Sequence, residues 1–157
     1  MNQNESGSDS QQQLRQTHVV SCFLLRKDMD QPRLLIVQRS QRVGSYNAHW
    51  AGISGFLEEG VTPDEQAYTE IREETGLQGE QIRMLKRGKV VEYEDTSIGR
   101  HWYIHPFLFE VRTPGAIVLD WEATEMRWIV PSEIQALKTV PKLDEAYKSA
   151  AGGEEVL

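Results

Sequence analysis

Gly55-Phe56-Leu57-Glu58-Glu59-Gly60-Val61-Thr62-Pro63-Asp64-Glu65-Gln66-Ala67-Tyr68-Thr69-Glu70-Ile71-Arg72-Glu73-Glu74-Thr75-Gly76-Leu77 reads as a loop that runs into a helix. Thr62 stands where an N-cap belongs and Glu65 follows three residues on, the pairing that lets each side chain serve the other's backbone N–H. Pro63 takes the first helical position, where a missing N–H costs nothing. Ala67, Tyr68 and Ile71 supply an apolar stripe at helical spacing, and Gly76 is a natural stop.

Glu70, Glu73 and Glu74 crowd the end of this helix. At 3.6 residues per turn Glu70 is one turn from both of the others, so the three carboxylates share a side. Like charges at these spacings cost roughly 0.2–0.5 kcal/mol per pair, and the helix C-terminus disfavours anions. A cluster that opposes both effects calls for a cation, and hard divalent ions prefer oxygen ligands. Taken alone, three glutamates also fit a solvated acidic face eased by Arg72.

The surrounding residues narrow the choice. The stretch resembles the Nudix family, whose box runs Gly, any five, Glu, any seven, Arg-Glu-apolar-any-Glu-Glu-any-Gly-apolar. Gly55, Glu70, Ile71, Glu73, Glu74, Gly76 and Leu77 match in register, and Glu58 and Gly60 fit the extended form of the loop. Upstream, Leu35-Ile36-Val37-Gln38-Arg39-Ser40 and His49-Trp50 look like the family's strand and aromatic lead-in, and the resemblance covers about residues 18–147. Two box positions depart: Val61 stands in place of the first Glu and Thr69 in place of Arg. In the family that Arg braces the glutamates, so here another support is required, and Arg72 is the candidate.

The resemblance implies an α/β/α sandwich, a mixed sheet flanked by helices. It also implies hydrolysis of a nucleoside diphosphate linked to another moiety, or of a related diphosphate, with Mg²⁺ or Mn²⁺. Glu70, Glu73 and Glu74 would be the metal ligands, aided by the Gly55 backbone, which no side chain obstructs. The metal would offset phosphoryl charge and activate or orient water, with Glu73 or Glu74 as general base. Family members often draw a base from a later loop, and Glu122 and Glu125 are placed for that or for plain solvent exposure. Arg39, at a strand end, suits a phosphate or a solvated surface. Trp50, Trp102 and Tyr46 suit stacking on a base or a place in the core. His49, His101 and His105 lack the pairing of a zinc site and read as structural. Isopentenyl diphosphate isomerase shares this fold, but its cysteine belongs near the Gly-rich turn, and Cys22 is far from it in sequence. A fold-sharing module that binds a phosphorylated ligand without turnover is the other reading, kept open by Val61 and Thr69.

Outward from the box, residues 18–26 and 34–38 read as strands joined by a turn at Asp28, Asp30 and Pro32. Residues 51–56 form a short Gly-containing strand or turn. Residues 82–93, 100–111 and 126–130 read as three further strands, and Pro106 places the second at an edge or a bulge. Pro131 and Ser132 start a short helix, and Pro141 opens a last one through Leu143 and Tyr147. Irregular mixing of strands with few helices predicts a mixed sheet covered by helices.

A chain of 157 residues, 39% hydrophobic and 26% charged, suits one folded domain. We expect it to span residues 17–150, between a flexible polar tail at 1–16, without signal-peptide character, and a C-terminal tail at 151–157. The lone Cys22 excludes an internal disulfide and suggests a reducing, cytoplasmic setting. No apolar run approaches the roughly 18 residues of a membrane span. The net charge of −7 argues against a nucleic-acid polymer as partner, while a small phosphorylated substrate is acceptable if a metal supplies positive charge. The sequence leaves a homodimer open.

Overall fold

β1 (Arg15–Arg26) is the strand around which the rest is arranged. In the computed structural model, which describes residues 13–157, it pairs in parallel with β7 (Arg100–Val111), from Arg15↔Arg100 to Leu25↔Glu110. Most of the polar tail anticipated at 1–16 lies outside the described residues, while Arg15 and Gln16 open β1 instead. On its other edge β1 changes partner. Residues 19–22 pair with β4 (Ile53–Phe56), and Leu25 and Arg26 pair with β2 (Arg33–Arg39). Beyond that hairpin β2 departs from β1 and is held by β3 (Trp50–Ala51) and β8 (Ala123–Ile129). The ends of β2 and β4 therefore belong to two diverging parts of one sheet, and the gap between them becomes the site.

β7 divides its outer edge in the same way, between β6 (Val91–Asp95) and β5 (Ile82–Arg87). The expected single strand at 82–93 is thus two, interrupted at residues 88–90. Pro106 is at neither a sheet edge nor a bulge of its own strand. It pairs with Ser21 in the middle of the sheet, and its carbonyl accepts from Gly88 N–H at 2.9 Å, where β6 has ended and β5 begins. The absent proline N–H thus falls at the break between two half-strands, while the bulge lies in β5, between Met84 and Lys86. The supposed C-terminal tail is ordered too: β9 (Glu154–Glu155) pairs with β5.

Two helices cover opposite faces. α1 (Pro63–Thr75) lies over Val20, Cys22, Leu24, Phe107 and Phe109, and α2 (Leu143–Ala151) lies over Phe23, Ile36 and Leu108. Consecutive residues show the alternation: the Cys22 thiol approaches the Ala67 carbonyl in α1, whereas the Phe23 ring meets Tyr147 of α2 edge-on at 5.5 Å. Phe23 and Phe109, each at most 2% exposed, contribute about 1.5–3 kcal/mol apiece by burial. The result is the α/β/α sandwich with a mixed sheet, in which β1 and β7 are the parallel pair among the strands of the described residues. No helix among the described residues is long and apolar enough to cross a membrane.

Candidate active site

The box helix begins as its sequence dictates. Thr62 Oγ1 accepts from Glu65 N–H and Glu65 Oε1 accepts from Thr62 N–H, both at 3.2 Å, and Gly76 closes the helix in the left-handed region at φ 77°. The free carbonyls of the last turn find partners elsewhere in the chain. Thr75 C=O accepts from Val118 N–H at 3.0 Å, and Glu74 C=O accepts from Asp120 N–H at 3.3 Å. That capping draws the loop before β8 against the helix. The loop is then fixed at Glu122, whose N–H donates to Asp120 Oδ1 at 3.0 Å and whose carbonyl accepts from Ser40 N–H at 2.9 Å.

Glu70 and Glu74 are buried, at 9% and 6% exposure, while Glu73 lies on the exposed side of the helix. Glu70 occupies the space where Gly55 lacks a side chain: a Cβ there would lie 1.4 Å from Glu70 Oε1. Burial, the charge of Glu73 and a hydrogen bond with it raise the Glu70 pKa to about 8. Burial raises Glu74 further, to about 10, with Glu122, Glu70 and Asp120 adding to the effect and Arg39 opposing it. Burial and Asp120 push Glu122 up as well. Glu74 Oε2 is buried with no hydrogen-bond partner. An unpaired buried carboxylate oxygen costs energy unless neutralised or paired, so the cluster is built for positive charge.

The countercharge present is Arg39, not Arg72. Arg72 is exposed and forms no ion pair among the described residues. Arg39 is partly buried at the end of β2, and its Nε donates to Ser45 C=O at 2.9 Å. Burial lowers its pKa while Glu74 and Glu122 favour its charge, although no carboxylate comes within ion-pair distance. The position of Thr69 in the box therefore has no Arg to brace it, and a residue thirty positions upstream offsets part of the negative charge from a distance. This compensation leaves no signal in the local motif.

The structure brings together Gly55, Glu70, Glu73, Glu74, Glu122 and Arg39. It separates others. Glu125 pairs with Arg127 at 3.1 Å on β8. Trp50 is buried in the core beneath the Arg127 guanidinium and lines no part of the cavity, so it offers no face to a substrate. Tyr46 and Trp102 do line it, joined by Phe56 and Tyr93, which sequence reading passed over. The histidines are more closely paired than expected: His18 Nδ1 lies 2.9 Å from His105 Nε2, and His101 Nε2 lies 3.0 Å from Glu92. Cys22, distant from the Gly-rich turn in sequence, pairs in register with Ile53 and so lies beside the strand that ends at the turn. Its thiol is fully buried, and burial with the charges of Glu74 and Glu70 pushes its pKa up, which leaves it inert.

As the side chains stand, no three His, Cys, Asp or Glu residues among those described are gathered closely enough to enclose an ion. The donor set nevertheless suits a hard divalent cation: carboxylates only, one oxygen unpartnered, and a bare glycine alongside.

A cavity of about 170 Å³ opens from Glu70, Arg39 and Glu122 along the α2 face of the sheet. Solved structures with the same fold include an Ap4A hydrolase of C. elegans in a binary complex, with 17% identity over 85% of this chain and 93% of that one and a TM-score of 0.72. The dihydroneopterin triphosphate pyrophosphohydrolase of E. coli matches with 20% identity over 83% and 92% of the two chains and a TM-score of 0.70. A bifunctional NMN adenylyltransferase/ADP ribose pyrophosphatase from Francisella tularensis, complexed with AMP and a Mn ion, matches with 23% identity over 86% of this chain and 41% of that one, at a TM-score of 0.69. The family model for the NUDIX domain matches residues 15–150, which include both diverging parts of the sheet and the acidic helix between them, and the chain belongs to the Nudix family.

Proposed function

We propose that the protein is a metal-dependent hydrolase that cleaves a phosphoanhydride bond in a nucleoside diphosphate linked to another moiety, or in a related diphosphate. The observation that carries this reading is the buried, unpartnered oxygen of Glu74 beside Glu70, with Glu122 facing them from an anchored loop. Glu70, Glu73 and Glu74, with the Gly55 backbone, would hold Mg²⁺ or Mn²⁺. Bound there, the ion would supply the positive charge that phosphoryl transfer requires. Arg39 is placed to bind a phosphate oxygen from the other wall. Glu122 is suited to accept a proton from water, since its raised pKa brings it toward the working range of a general base. Glu73 and Glu74 are the other candidates for that role. The names of the comparison proteins support the substrate class: an Ap4A hydrolase, a dihydroneopterin triphosphate pyrophosphohydrolase and an ADP ribose pyrophosphatase.

The test is a panel of nucleoside diphosphate derivatives and dinucleoside polyphosphates with Mg²⁺ or Mn²⁺, read by ³¹P NMR. Turnover that the Glu70→Gln, Glu74→Gln double variant lacks is the expected result. Ligand-induced stabilisation across the panel with no product would overturn hydrolysis in favour of a binding module.

A further inference from the structure

The cavity beside the carboxylates is walled by Tyr46, Phe56, Tyr93 and Trp102, and Ser21 and Ser54 face each other across its floor. An apolar cavity of roughly 150 Å³ holds a benzene ring. This one is slightly larger and opens to solvent at Phe56, which is 57% exposed, so a planar ring system can enter and lie across the mouth. Phe56 and Trp102 are near-parallel, 24° apart with centroids separated by 6.3 Å, and the Arg100 guanidinium lies within 6 Å of both rings.

The polar atoms of Tyr46 and Trp102 are already engaged with one another and with Asp95. Trp102 Nε1–H donates to the Tyr46 hydroxyl at 3.0 Å, and that hydroxyl donates to Asp95 Oδ2 at 2.7 Å. Asp95 is itself fixed through Oδ1, which accepts from Ser97 N–H at 3.1 Å and from the Ser97 hydroxyl. The indole is a donor only and the carboxylate an acceptor only, so these are the groups that could tell one base edge from another. The Tyr93 and serine hydroxyls can rotate to donate or accept and so satisfy any edge, and the Lys142 ammonium is already paired with Glu145 at 3.1 Å. Tyr46 is held in the left-handed region at φ 51°, a conformation that a tyrosine keeps only under external restraint.

We propose that this cleft holds the nucleobase of the substrate by stacking and does not read its hydrogen-bonding edge, so that purine and pyrimidine nucleoside diphosphates are accepted alike. Asp95 is the positioning residue that establishes this tolerance by occupying Tyr46 and, through it, Trp102. The inference rests on the diphosphate reading above. Stacking on an aromatic ring is tolerant of sequence because every base has a π-face. A site that hydrogen-bonds its substrate, by contrast, rejects the wrong one by about 10⁴-fold or more.

The experiment measures the dissociation constants of ADP, GDP, CDP, UDP, inorganic pyrophosphate, adenosine and cytidine by calorimetry on the full chain with Mn²⁺. The four nucleotides are expected to agree within about tenfold. Phe56→Leu, at an exposed position that does not endanger folding, should weaken all four alike, by about 5- to 100-fold, and leave pyrophosphate unchanged. Asp95→Ala should widen the spread among bases beyond tenfold, an effect that mere loosening of the fold does not produce. A preference above 100-fold for one base in the wild type overturns the proposal. So do nucleotides that bind no tighter than pyrophosphate, a result that leaves the diphosphate reading intact. Nucleosides that bind in a Phe56-dependent way while pyrophosphate does not bind uphold the cleft and overturn the diphosphate reading.

Discussion

Gly55→Ala isolates the contact on which the acidic cluster depends. The added Cβ would lie 1.4 Å from Glu70 Oε1, 2.1 Å from Cδ and 2.7 Å from Cγ. Ordinary contact begins near 3.4 Å, so the carboxylate must retreat by roughly 2 Å. The atoms that yield belong to the flexible end of a side chain, and Gly55 does not occupy the left-handed region. The backbone therefore keeps its place and stability changes little, since a compatible Gly→Ala change is itself worth only about 0.4–1 kcal/mol. Function should respond strongly: displacement by about 1 Å at a reacting centre can cost 10²-fold in rate. The assay combines steady-state hydrolysis at saturating Mn²⁺, Mn²⁺ affinity by calorimetry and a thermal melt. The expected pattern is turnover reduced at least about 100-fold, with weaker Mn²⁺ binding and an almost unchanged Tm. Wild-type turnover and Mn²⁺ affinity in a folded Gly55→Ala variant would refute the reasoning. A collapse of Tm would also refute it, by showing that the backbone and not the carboxylate gives way.

Three further outcomes follow from the same geometry. Glu70 and Glu74 have folded-state pKa values raised from 4.5 to about 8 and about 10, so their contribution to stability is full below pH 4.5 and is lost as pH rises through those values. The Tm of the metal-free protein should accordingly fall between pH 6 and pH 9, less steeply in the Glu70→Gln, Glu74→Gln variant, and a pH-independent Tm would contradict the assignment. Glu122→Gln should lower turnover by about 100-fold at saturating metal, whereas Glu125→Gln, remote and paired with Arg127, should change it less than about twofold; equal effects in steady-state rates would remove Glu122 from the site. Thr62→Ala deletes one half of the capping box and should cost about 1 kcal/mol in a denaturant titration, with an unchanged midpoint counting against the cap as a support of α1.

The sequence made the helix and its carboxylates legible because caps, glycine stops and 3.6-residue spacing are local signals. The same locality explains what was misread. Arg39 acts electrostatically on Glu74 and Glu122 because β2 leaves β1 after a short hairpin, and nothing within either segment records that divergence. Trp50 and Trp102 look equivalent in a list of aromatics, yet β3 places one in the core and β7 places the other on the cavity wall. Pro106 signalled an interruption correctly but located it on the wrong strand, since the break belongs to its neighbours β5 and β6. Glu122 could be preferred to Glu125 from the sequence, but the reason it faces the helix is not local, because its loop is held by the last carbonyls of a helix nearly fifty residues earlier.

The parallel ladder between β1 and β7 also governs the order in which the molecule can form. Residue 15 pairs with residue 100 and residue 25 with residue 110, so the longest run of backbone pairing closes a loop that contains the whole box. A chain emerging from the ribosome presents α1 well before the strand that completes the sheet beneath it. Such non-local pairing slows folding, because the entropy of loop closure is lost before the contacts that repay it are made. The loop that caps the helix, residues 118–122, follows β7 in the chain, so Glu122 can join Glu70 and Glu74 only after that strand has been made. Until then α1 carries its three glutamates without the loop carboxylate that faces them.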